Sequence, residues 1–116
     1  LGNDLAGFFS NNEHLQNAFK EVAKKEGDEL WPLPLYKFYL KKMKSDIADL
    51  KNVSGSKQGG AITAALFLSE FVEKSPWIHL DTSGPAYRNE GPKGAISKGG
   101  TGWGVLSLTS WISKMQ

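Results

Sequence analysis

The sequence predicts an α/β chain, and three stretches carry that prediction. Residues 12–26 repeat apolar side chains at helical spacing, and residues 61–72 form a second, nearly all-apolar helix. Between Pro76 and Gly84, the run Trp-Ile-His-Leu-Asp at 77–81 has the length and bulk of a buried strand.

The first helix is bounded at both ends. Ser10 followed by Glu13 reads as a capping box, in which hydroxyl and carboxylate each satisfy a free backbone N–H. Leu15, Ala18, Phe19, Val22 and Ala23 form one apolar stripe, Lys24 and Lys25 occupy the last turn, and Gly27 closes it. Next comes Leu-Trp-Pro-Leu-Pro-Leu at 30–35, whose two prolines forbid a central strand and favour extended chain. Pro34 suits the first position of a short amphipathic helix, with Leu35, Tyr36, Tyr39, Leu40 and Met43 inward and Lys37, Lys41 and Lys42 outward. Residues 45–60 lack any period and read as a loop. The helix at 61–72 is apolar nearly all round, which suits burial on most sides, and Gly59 and Gly60 allow close backbone approach at its start. Residues 84–104 hold seven of the 13 glycines and read as a loop of tight turns. Residues 105–114 fit a helix better than a strand. One clear strand is not expected to make an independent sheet.

Composition removes several function classes. The chain has 116 residues, 40% of them hydrophobic, which fits one domain or a piece of one and is too apolar for a disordered tail. With no cysteine there is no disulfide framework, thiolate zinc site or cysteine nucleophile. Apolar runs such as 64–68 are too short to cross a membrane. Lys and Arg total 14 against 12 for Asp and Glu, so nucleic acid is not an expected partner; the lysine clusters read as solvated helix ends.

The local motifs do not make a chemistry by themselves. Gly94-Ala-Ile-Ser-Lys-Gly-Gly-Thr101 mimics P-loop spacing, but Gly100 stands where the phosphate-binding lysine is required. Asn52-Val53-Ser54 is a chance glycosylation sequon. His79 and Asp81 share one strand face and could be two metal ligands, but the only other histidine is His14 on an exposed helix face. The simpler expectation is a hydrogen-bonded histidine at a strand end and an aspartate ordering the next turn. Asp46 and Asp49 read as loop carboxylates, and no serine stands in a Gly-x-Ser-x-Gly elbow.

Several segments, in order, resemble the C-terminal part of the leucine aminopeptidase (cytosol aminopeptidase) catalytic domain. They are Ser-Asp-Ile-Ala-Asp-Leu-Lys-Asn-Val-Ser-Gly from 45, Gly-Gly-Ala-Ile-Thr-Ala-Ala-Leu-Phe-Leu from 59, Trp-Ile-His-Leu-Asp-Thr-Ser-Gly-Pro-Ala from 77 and Gly-Thr-Gly-Trp-Gly-Val from 100. Leu-Gly-Asn-Asp at the start and the proline-containing run at 30–35 fit the same pattern. The resemblance implies the C-terminal portion of a three-layer α/β/α domain with a central mixed sheet, in a cytoplasmic homo-hexamer. It implies a leucyl aminopeptidase that removes apolar N-terminal residues from peptide substrates with two divalent metal ions, Zn or Mn. Such ions bind the free amine, polarise the scissile carbonyl and acidify a bridging water.

The family's lysine and acidic metal ligands, and the arginine of its "NTDAEGR" segment, have no counterpart here; the only arginine is Arg88. In the family they precede the point matching Leu1, so the beginning of the chain reads as a cut. Metal ligands and catalytic residues are therefore expected outside this chain, in the rest of its own catalytic domain. Three substrate-binding positions carry over. Val53 matches an apolar residue of the pocket beyond the scissile bond, and Ser83 and Ala86 match the pocket for the N-terminal side chain. Alanine is usual at the position of Ser83, so serine there shifts preference among apolar side chains; its other reading is a turn serine. Residues 87–98 read as a family-variable surface loop. The alternative function is a non-catalytic scaffold or binding protein derived from the same fold.

Overall fold

A computed structural model describes residues 1–115. Its elements are β1 (Ala6–Ser10), α1 (Glu13–Glu26), β2 (Leu30–Pro32), a 3₁₀ segment (Lys37–Met43), α2 (Gly60–Ser69), β3 (Ile78–Asp81), β4 (Tyr87–Arg88), β5 (Gly99–Gly100) and α3 (Val105–Ser113). The fold is α/β with a mixed sheet, as predicted. β1 lies between β2, to which it is parallel, and β3, to which it is antiparallel.

The central strand is the one that the sequence reading lacks. Ala-Gly-Phe-Phe is buried on both faces, so it shows no alternation and is too short to distinguish from a loop by pattern. With it the sheet reaches three strands and a packed face, which is enough for a stable sheet. Register places Phe8 opposite Leu80 and Phe9 opposite His79. Phe8 faces α1, where it packs with Phe19 and Ala23, and Leu30, Ile78, Leu80 and Trp111 close around them. Phe19 meets Phe8 at 5.7 Å and Trp111 edge-on at 5.8 Å between ring centroids. Each such pair adds about 0.5–1.5 kcal/mol beyond its buried area.

The N-terminus of α1 differs from the expected capping box. Asn12 is the cap, and its Oδ1 accepts the Leu15 N–H at 2.8 Å. Ser10 lies two residues earlier, at the end of β1. Its hydroxyl donates to the Trp77 carbonyl at 2.8 Å and accepts the Asn12 N–H at 3.0 Å, tying the turn to the start of β3. At the other end Gly27 closes the helix at φ 82°, as expected. β2 is an edge strand among the described residues, which accommodates Pro32 without a lost ladder bond. Pro34 does not open the next helix: the 3₁₀ turn begins at Lys37, with Met43 as its buried residue.

α2 packs on that 3₁₀ segment and buries Thr63, Ala65 and Leu66, while Leu68 and, beyond the helix end, Phe71 stay exposed. It is therefore buried on one side within this chain, and it ends at Ser69, short of the predicted residue 72. Residues 84–104 are more ordered than a plain loop. β4 and β5 pair antiparallel, and the Thr101 hydroxyl donates to the Pro85 carbonyl at 2.6 Å. Gly84 is required there, because a Cβ would collide with the Gly2 carbonyl oxygen. α3 is a helix and lies against α1.

Candidate functional site

The first turn of α2 organises the surface that matters. Gly59 precedes it at φ 71°, and Tyr39 Cε2 lies 2.8 Å from where a Cβ would stand, so both backbone and packing demand glycine. The loop 45–60 is tied to the 3₁₀ segment by the Lys51 N–H, which donates to the Met43 carbonyl at 2.7 Å. The result is a concavity of about 220 Å³ lined by Met43, Val53, Ser56, Gly60, Thr63 and Ala64, among others. A smaller one, about 40 Å³, is lined by Leu5, Gly7, Ala61, Asp81, Ser83 and Gly84, among others. Helix residues 60, 63 and 64 border the first and residue 61 the second, so the two concavities flank one helical turn.

The three sequence-derived positions separate accordingly. Val53 lines the larger concavity and is 72% exposed. Ser83 lines the smaller one. Ala86 lines neither; its N–H donates to Thr82 and its carbonyl accepts from Thr101, both at 3.0 Å, at the entrance to β4. The turn reading of Ser83 is seen in its hydrogen bonds. Its N–H and hydroxyl donate to Asp81 Oδ1 at 3.2 and 2.5 Å, so it orders the turn and lines the concavity at once.

Among the described residues the His79 ring makes aromatic contacts in place of the expected hydrogen bond. Its ring is stacked on Trp77 at 5.9 Å with planes 11° apart, and lies 5.7 Å from Phe9. Burial among these rings holds its pKa below the ordinary 6.5, while the Asp81 charge opposes that shift. Among the described residues no group of three His, Asp or Glu side chains gathers to hold a metal ion. The residues present therefore do not fit a metal centre, and no metal-assisted step can be derived from them.

One charged side chain departs from its expected place. Lys42, expected to point into solvent, is half-buried. Its Nζ lies 4.0 Å from the Tyr39 ring centroid and donates to Ser56 Oγ at 3.4 Å. Ser56 lines the larger concavity, so this ammonium contacts one of its wall residues. The contact spans 14 residues across an irregular loop, a distance that no periodicity reports.

The mixed α/β fold of this chain recurs in solved aminopeptidase structures. The bottromycin maturation enzyme BotP superposes with a TM-score of 0.93 at 34% identity, over 99% of this chain and 26% of that one. A mutant tomato leucine aminopeptidase superposes at 0.86 and 42% identity, over 98% and 21%. Among curated relatives, a probable cytosol aminopeptidase of Gloeobacter violaceus is 46% identical over 97% of this chain. One from Prochlorococcus marinus is 49% identical over 97%. The model of the cytosol aminopeptidase family, catalytic domain, matches residues 1–109. The chain belongs to the cytosol aminopeptidase family. It spans about a fifth of the length of these curated relatives, 22% and 23% respectively.

Proposed function

We propose that this chain is the C-terminal part of the catalytic domain of a metal-dependent leucyl aminopeptidase, and that it forms the substrate-side wall. The observation that carries the reading is the family match over residues 1–109 together with the superposition on BotP and the tomato enzyme. In this reading the intact protein is a cytoplasmic homo-hexamer that removes apolar N-terminal residues from peptides. Two divalent ions, zinc or manganese, would be held by residues outside this chain and would supply Lewis-acid chemistry there. BotP has been crystallised in complex with Mn, which supports a divalent metal.

The residues of this chain bind and orient. The concavity holding Ser83 receives the N-terminal side chain, and Ala86 acts on it only through the turn that leads from Ser83 into β4. The concavity holding Val53 receives the residue after the scissile bond. The first turn of α2 separates the two and fixes their spacing. The test is release of p-nitroaniline from leucyl-p-nitroanilide by the intact protein. Activity should vanish with a chelator and return with Mn²⁺ or Zn²⁺. A folded intact protein with no metal-restored activity would leave the scaffold reading instead.

A further inference from the structure

We propose that Lys42 recognises the C-terminal carboxylate of short peptide substrates, making this a site for di- and tripeptides with a free C-terminus. The inference rests on the assignment of the Val53 concavity to the leaving side of the peptide. Its own support is geometric. The Lys42 ammonium donates to a wall residue of that concavity, Ser56, at 3.4 Å and lies 4.0 Å from the Tyr39 ring centroid. Two contacts hold it in one place, so less side-chain freedom is lost when it meets an anion.

Its charge is also unspent. The ion pairs among the described residues are Arg88 with Glu90 and Lys93 with Asp4, and Lys42 takes part in neither. The concavity is about 220 Å³, and the apolar Met43, Val53 and Ala64 share its wall with Asn52, Ser54, Ser56 and Thr63. A partly apolar wall with a fixed cation bonded to one of its residues complements one or two residues that end in a carboxylate. A longer or amidated peptide would meet the same wall without the ion pair.

The test compares Leu-Gly and Leu-Gly-Gly with their C-terminal amides, using the intact protein and its K42M and K42R variants. K42M keeps the apolar stem and removes only the charge. It should lower kcat/KM for the free acids about fivefold, mainly through KM, because a partly exposed ion pair contributes at that level. The amides should be unaffected, K42R should restore the preference, and the difference should shrink as salt rises. In parallel, calorimetry measures binding of D-Leu-Gly-Gly and its amide, which needs no turnover. An equal response of acids and amides to K42M, in cleavage or in binding, overturns the proposal. Intact leucyl-p-nitroanilide hydrolysis beside that result would leave the aminopeptidase assignment standing. Acid-selective binding that depends on Lys42 in a protein without hydrolysis would do the reverse.

Discussion

His79 illustrates how one side chain ties stability to pH in this fold. Its ring sits between Trp77 and Phe9, and burial there favours the neutral imidazole. A histidine with a lowered folded pKa binds more protons when unfolded, so stability rises with pH across that interval. The contribution is fully present above the unfolded value of about 6.5 and is lost as pH falls through the folded pKa. The thermal midpoint of the intact protein should therefore drop between pH 7.5 and 5, and H79F should flatten part of that drop. Parallel pH profiles for the two proteins would show that His79 is not the titrating group. At this scale the sequence was partly legible. Gly27 and the stripe through Phe19 follow from local rules. Asn12 displaced Ser10 as the cap because β1 runs to Ser10, and only the tertiary pairing of β1 with β3 decides where the turn begins.

At the scale of elements, α3 is held to the end of α1 by two short polar contacts. Ser107 donates to Asp28 Oδ2 at 2.5 Å and Ser110 to Glu26 Oε1 at 2.6 Å. Ser107 is 1% exposed, so S107A leaves the half-buried Asp28 carboxylate without that donor. The expected cost is about 1–3 kcal/mol. Amide exchange in the intact protein should show α3 losing protection while α2 keeps its own; unchanged protection of α3 would contradict the contact's role. Helices α1, α2 and α3 and strand β3 were readable because their patterns are long or sharply bounded. β1 was not, since a strand buried on both faces carries no alternation. The β4–β5 pair was hidden as well, because its pairing uses backbone that glycine-rich sequence does not announce.

At the scale of the whole molecule, the exposed apolar surface is consistent with the proposed reading of the chain as one part of a larger domain. Ile47 is 98% exposed, Phe71 68% and Leu106 62%, on three separate segments. In that reading they face the rest of the catalytic domain. The resemblance gave the family and the α/β class from ordered segments. It did not give the geometry that separates Val53 from Ser83, because the turn of α2 between them is visible only once Gly59 has packed on Tyr39. Nor did it show that Ala86 stands apart from both concavities.

The central claim is that this chain walls the substrate site, with the concavity at Ser83 receiving the N-terminal side chain. Its most direct test is kcat/KM of the intact protein and its S83L variant on leucyl- and alanyl-glycine. Leucine at 83 would fill a concavity of about 40 Å³. The account predicts that the leucyl substrate loses about tenfold or more relative to the alanyl one, the scale on which an apolar pocket discriminates methylenes. Equal losses for both substrates, or no loss for either, would contradict it.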